Sequence, residues 1–251
     1  MIYHPQTRML AEAAWWAYEE PEEIVKGFAA GHALGRFEFF DKNGTQAFVA
    51  AGDTRIVVAF RGTEEIADWL ADIDAGFTRY AYGRIHRGFS RALLEIWPDL
   101  FKTVMDWHMD SMEVRELLVT GHSLGAVLAT LAFIGLEASR LVTFGSPRVG
   151  DSGFARWFNK TYRGFATRFV NNNDIVPRTP PYLAGYRHVG RLAYITAAGR
   201  IKGDATAWFR LKDAAFGFRG DIMLAGVDAI KDHSMTAYAS AIQRAYDEGG
   251  R

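Results

Sequence analysis

The chain has 251 residues, 49% of them apolar and 23% charged, enough for one large α/β domain or two small ones. Lys plus Arg equal Asp plus Glu at 29 each, and no basic stripe is seen, which argues against a nucleic-acid partner. With no cysteine, disulfides, thiolate catalysis and cysteine-held zinc are excluded.

The first element reads as a helix, with Met9, Leu10, Ala13, Ala14, Trp16 and Ala17 at helical spacing and Pro21 just beyond. This apolar patch is interrupted by Glu12, lacks a preceding basic region and is followed by Glu19-Glu20, so no signal peptide is read. Together with the absence of cysteine, this leads to the expectation of a cytoplasmic protein, with leaderless secretion left open. No apolar run is long enough for a membrane span.

Strands follow at Phe37 to Phe40 and Gln46 to Ala50, joined by the hairpin-type turn Asp41-Lys42-Asn43-Gly44. The continuous run Ile56 to Phe60 suits a central strand buried on both faces. Next comes an amphipathic helix in which Ile66, Trp69, Leu70 and Ile73 share one face, with Thr63 placed to cap it. Arg79 to Arg84 reads as a polar loop. A long helix is expected from Gly88 to Met109, a strand at Leu117 to Thr120 and an apolar helix from Leu124 to Leu136. Further strands are expected at Arg140 to Phe144, Arg168 to Val170 and between Val189 and Ile195, then a final helix through Met235, Tyr238, Ile242 and Tyr246. Strands alternating with helices predict a mainly parallel sheet covered on both faces, in one domain spanning residues 1–251.

Leu117 to Ala126 is the most informative stretch. An apolar strand enters Gly121-His122-Ser123-Leu124-Gly125, and an apolar helix follows at once. Gly-x-Ser-x-Gly between strand and helix is the pattern of a nucleophile elbow, where a strained turn lifts the serine hydroxyl clear of the sheet. Ser123 is therefore the candidate nucleophile. Leu124 N–H, at the helix start, is a candidate oxyanion donor, and Thr63, after the strand ending Phe60-Arg61-Gly62, is the second. The alternative for Thr63 is a helix cap alone, and the two roles can coexist.

In this architecture the acid and then the histidine follow the serine. Two histidines remain after Ser123. His233, in a loop before the final helix, is favoured over His188, which enters a strand. Asp174, after a strand and the polar turn Asn171-Asn172-Asn173, is the candidate acid. Asp232 ranks below it because neighbours in a turn rarely aim into one hydrogen bond, and Asp151 and Asp204 have no comparable context. His122 should point away from the serine hydroxyl, and His86 is assigned to core packing. No histidine pair has metal-helix spacing, so no metal is assigned, and acyl transfer through a serine needs no cofactor.

These segments together closely resemble the class 3 lipase family, the fungal type of triacylglycerol lipase and its bacterial relatives. The matching stretches are Val58 to Thr63, Asp68 to Asp72, His86 to Phe89, Thr120 to Gly125, Thr143 to Gly150, Asn172 to Pro177, Tyr186 to Gly190 and Asp232 to Tyr238. They run in family order over about residues 50 to 240. The resemblance implies an α/β-hydrolase-like fold, a triad of Ser123, Asp174 and His233, and an oxyanion hole from Thr63 and Leu124. It further implies that Asp72 supports the first oxyanion hydroxyl, that His188 is structural, and that a short lid helix occupies about residues 65–83. Lacking the disulfides and leader of the fungal enzymes, the chain resembles the bacterial branch. The segment 197–230 maps onto no fungal counterpart and reads as acyl pocket, cap or plain packing.

The expected activity is hydrolysis of lipid carboxylic esters through an acyl-enzyme. Its alternatives are an esterase for small soluble esters, a phospholipase A1, and a peptidase or acyltransferase sharing the elbow. A non-catalytic binding protein on a hydrolase fold is the alternative from a different class. The partner expected is an ester or lipid, met at a lipid–water interface if the amphipathic lid serves that purpose.

Overall fold

The computed structural model describes residues 5–63, 76–110, 114–217 and 233–249. Its centre is an eight-stranded sheet. The chain enters through helix α1 (Gln6–Trp16) and the short α2 (Pro21–Ile24), which runs into a π-helical turn (Val25–Ala29). Strands β1 (Arg36–Lys42), β2 (Thr45–Ala51) and β3 (Arg55–Phe60) are antiparallel neighbours. Lys42 pairs with Thr45, leaving Asn43 and Gly44 as a two-residue turn at φ 51° and 77°, the left-handed pair that such a hairpin requires.

A separate two-stranded hairpin follows, β4 (Phe77–Tyr80) with β5 (Gly83–His86). This corrects the sequence expectation twice. Arg79 to Arg84 is a paired hairpin rather than a loop, and the second half of the expected lid helix is extended. Arg84 backs this geometry: its guanidinium lies over the Phe77 ring and pairs with Asp151. Residues 65–75 of the expected lid, with Asp72, lie outside the described residues.

Helix α3 (Arg87–Met109) leads to β6 (Glu116–His122), and helix α4 (Leu124–Gly135) to β7 (Arg140–Phe144). Helix α5 (Ser152–Thr161), absent from the sequence reading, is capped by Asp151, which accepts from Phe154 N. Strand β8 (Ala166–Asn171), strands β9 (Arg191–Ile195) and β10 (Ile201–Gly203), and helices α6 (Ala207–Gly217) and α7 (Met235–Gly249) complete the order. The sheet order is β1-β2-β3-β6-β7-β8-β9-β10, and strands β3, β6, β7, β8 and β9 run parallel.

Strand alternation divides the core between the two faces. Val58, Phe60 and Val119 point to one face, where Leu93, Leu100, Val127 and Phe158 of α3, α4 and α5 cover them. Val57, Ala59, Leu118 and Phe144 point to the other, against Leu10 and Ala14 of α1 and Tyr238 and Ile242 of α7. Each such large side chain contributes on the order of 1.5–3 kcal/mol of burial. Helix α4 is buried almost throughout, from Gly125 to Phe133, as its all-round apolar sequence requires. Among the described residues no helix is long and apolar enough to cross a membrane.

Candidate active site

The strand-to-helix turn between β6 and α4 places Ser123 at φ 56°, ψ −125°, a conformation that costs a non-glycine residue on the order of 1–3 kcal/mol. Surrounding packing over-determines it. A Cβ on Gly121 would meet Gly125 O at 2.3 Å, and one on Gly125 would meet Phe60 O at 2.3 Å, so both flanking positions must lack a side chain. Ser123 N donates to Phe144 O at 3.0 Å, locking the elbow to the neighbouring strand.

Asp174 follows β8 and His233 precedes α7, so the parallel order of β6, β7 and β8 brings both to the serine's end of the sheet. His233 Nδ1 donates to Asp174, at 2.8 Å from Oδ2 and 2.9 Å from Oδ1. Val176 N donates to Oδ1 at 2.9 Å and the Tyr238 hydroxyl to Oδ2 at 2.6 Å. The Tyr238 hydroxyl in turn accepts from Asn171 N at 2.9 Å. The carboxylate is thus held from three sides, and burial together with Asp174 pushes the Tyr238 phenol well above its ordinary pKa, keeping it a donor. Ser123 and His233 have no exposed surface, and neither Ser123 Oγ nor His233 Nε2 has a hydrogen-bond partner among the described residues. These are the two atoms between which a proton would pass.

His122 points away from the serine hydroxyl, as its place on the strand predicts. The Tyr18 hydroxyl donates to its Nδ1 at 2.7 Å, and its Nε2 donates to His233 O at 2.6 Å. Burial, and then the neighbouring His233, drive its pKa well below the ordinary value, consistent with this neutral tautomer. A chain from α1 through His122 therefore holds the backbone of the His233 loop. Sequence reasoning missed Tyr18 and the positioning part of Tyr238, although Tyr238 stands in the quoted Asp232-His233-Ser234-Met235-x-x-Tyr238 stretch. Nothing local in the sequence signals Tyr18, whose partner is 104 residues away.

Thr63 lines a cavity with His122 and His233 and another with Gly62 and Leu124. Gly62 lies against the nucleophile position: a Cβ there would fall 3.0 Å from that of Ser123. The two proposed oxyanion donors thus flank one site. Asp72 and Asp232 lie outside the described residues. His188 does not join the Asp174–His233 pair: it lines a cavity beside Asp174, and its Nε2 donates to Pro177 O at 2.8 Å. His86 is buried, stacked on Phe89.

A family model described as lipase (class 3) matches residues 57–184, just over half of the chain. The chain belongs to the class 3 lipase family. A lipase of Rhizomucor miehei is 36% identical over 169 residues, 61% of this chain and 45% of that protein. The secreted mono- and diacylglycerol lipase 1 of Fusarium solani is 34% identical over 179 residues, 68% of this chain and 50% of that one. The matches thus span about half the length of these curated relatives. Among solved structures, a mutant form of MDLA from Penicillium cyclopium superposes with a TM-score of 0.72 at 25% identity, covering 91% of this chain and 93% of that one. A triacylglycerol lipase described as having a serine protease triad at its catalytic centre gives 0.67 at 28% identity, covering 76% and 80%. These neighbours share the α/β-hydrolase-like fold.

The comparisons correct the cytoplasmic expectation. Relatives of this class 3 lipase chain are named secreted lipases, so the cytoplasmic expectation does not stand. Lack of cysteine is a weak guide because a core of this size holds a fold without disulfides. The relatives named here are fungal, and they do not bear on a bacterial placement.

Proposed function

We propose that this chain hydrolyses carboxylic esters of lipids through an acyl-enzyme at Ser123. The main support is the Asp174–His233 pair beside a strained serine, with Ser123 Oγ and His233 Nε2 both buried and unpartnered among the described residues. The family likeness supports the same chemistry. His233 Nε2 takes the hydroxyl proton as Ser123 Oγ bonds to the ester carbonyl carbon, and Asp174 stabilises the resulting imidazolium. Leu124 N–H at the start of α4 and Thr63 hold the developing oxyanion. His233 then gives its proton to the departing alcohol. Water repeats the sequence, leaving the carboxylic acid and free Ser123.

Because Ser123 has no exposed surface, an ester reaches it only after covering groups move. A lipid–water interface is the proposed setting for that movement. The experiment is p-nitrophenyl ester hydrolysis from C2 to C16 chains, below and above substrate solubility, for the wild type and Ser123→Ala. Loss of turnover in Ser123→Ala and labelling of Ser123 by a fluorophosphonate are expected. Wild-type rates in the variant, or a label elsewhere, would overturn the assignment.

A further inference from the structure

A cavity of about 580 Å³ opens beside Asp174, walled by Val170 of β8, Tyr194 of β9 and Leu211 of α6. Arg148, Arg178, Arg187 and Arg210 also line it, and Asp174 is the one carboxylate among the described lining residues. That carboxylate is already taken by His233, Tyr238 and Val176 N.

Arg168 adds to this group. It stands two residues before Val170 on β8 and so on the same face of the strand. Arg168 is only 7% exposed, and its Nε and Nη1 have no hydrogen-bond partner among the described residues; buried Arg210 Nε has none either. Among the described residues none of these five arginines forms a salt bridge. Arg148 Nη1 donates to the carbonyls of Arg178 and Pro180, and Arg187 Nη1 to those of Tyr182 and Tyr186. Burial, then Arg210, brings the Arg168 pKa down to about 9, which still leaves it charged at neutral pH. His188 adds no charge, because burial and Arg168 hold it neutral. Buried guanidinium groups without a counter-ion are costly, and they are the groups best shaped to fork onto phosphate oxygens.

The surroundings are apolar. Tyr182 and Leu183 are 57% and 97% exposed in one short turn, and Trp208 and Leu211 of α6 are 65% and 63% exposed. A basic recess with exposed aromatic and aliphatic side chains around it matches a charged headgroup above acyl chains better than a phosphate free in solution.

We propose that this cavity captures the phosphate headgroup of an anionic lipid, with Tyr182, Leu183, Trp208 and Leu211 seated in the surrounding interface. The proposal stands apart from the hydrolase reading, since capture is measured without turnover.

The test is co-flotation of the whole chain with phosphatidylcholine vesicles, with and without about one fifth phosphatidic acid, alongside thermal unfolding in inorganic phosphate. Binding is expected only to the phosphatidic acid vesicles. Arg148→Gln and Arg210→Gln should each weaken it about fivefold, the effect of one surface arginine near an anionic membrane. Trp208→Ala should weaken it too, while Lys26→Gln, an exposed cation distant in sequence, should not. Ser123→Ala should bind as the wild type does. Equal binding to both vesicles, or equal loss in Lys26→Gln, would overturn the proposal. Stabilisation by inorganic phosphate without vesicle binding would overturn the lipid assignment in favour of a soluble phosphate. Binding lost in Ser123→Ala would move capture to the catalytic centre and refute the cavity.

Discussion

Gly145 offers a direct probe of the Asp174–His233 pair. It sits just after β7 at φ 58°, and a Cβ there would lie 2.9 Å from His233 Cε1 and 3.0 Å from both His233 Nδ1 and Asp174 Oδ2. Ordinary carbon contacts fall at roughly 3.5–4.0 Å, so in Gly145→Ala the pair must move by about 0.5–1 Å. It cannot yield freely: Asp174 is held by Val176 N and Tyr238, and the His233 carbonyl by His122. A misplacement of about 1 Å costs on the order of 100-fold in rate. The left-handed backbone adds about 1–2 kcal/mol against the folded state, a fall in Tm of roughly 2–8 °C for a chain of this size. Gly164→Ala is the control. Gly164 is also left-handed, at φ 89°, but a Cβ there meets nothing within 4 Å. Both variants should lose stability, and only Gly145→Ala should lose kcat for p-nitrophenyl butyrate by about two orders of magnitude. Equal kcat in the two variants would refute the steric reasoning.

Other consequences can be measured on the same chain. Ser123→Gly should abolish hydrolysis yet raise Tm, because it removes about 1–3 kcal/mol of backbone strain and a buried hydroxyl without a partner; a lower Tm would contradict the strained elbow. Tyr238→Phe removes a bond to a carboxylate and the hydroxyl that accepts from Asn171 N, so the denaturant midpoint should fall by the equivalent of about 2–3 kcal/mol and kcat by about tenfold. Unchanged stability would deny the tether. His122 and His188 both have pKa values well below 6.5 in the folded chain, through burial first and then His233 and Arg168 respectively. Below pH 6.5 the unfolded chain takes up protons that the folded chain does not. Their contribution is therefore complete above about pH 6.5 and is lost as pH falls, at about 1.4 kcal/mol per pH unit for each. Denaturant titrations between about pH 7.5 and 5 should show this slope, reduced in His188→Gln; an identical slope would exclude His188 as a source.

Elements whose signal is local can be read from the residues alone. Ile56 to Phe60 reads as a strand buried on both faces because every residue is apolar, and Asn43-Gly44 reads as a tight turn because such residues accept two positive φ values in succession. Gly121 to Gly125 is legible because the elbow leaves no room for a Cβ on either flank of Ser123. The order serine, acid, histidine then selects Asp174 and His233, which the fold brings within hydrogen-bond distance of each other. Pairings between distant segments are not legible. Residues 76–83, expected as the end of a helical lid, enter a hairpin because Arg84 stacks on Phe77 and pairs with Asp151 far along the chain. Tyr18 and Tyr238 carry no local mark of their hydrogen bonds to His122 and Asp174. Arg148 and Arg210 look like scattered cations in a neutral chain, and only the tertiary fold brings them to one cavity, with Arg168 within their electrostatic reach. Local sterics and periodicity are written in neighbouring residues, whereas the electrostatics of a site depend on which distant side chains the sheet order brings together.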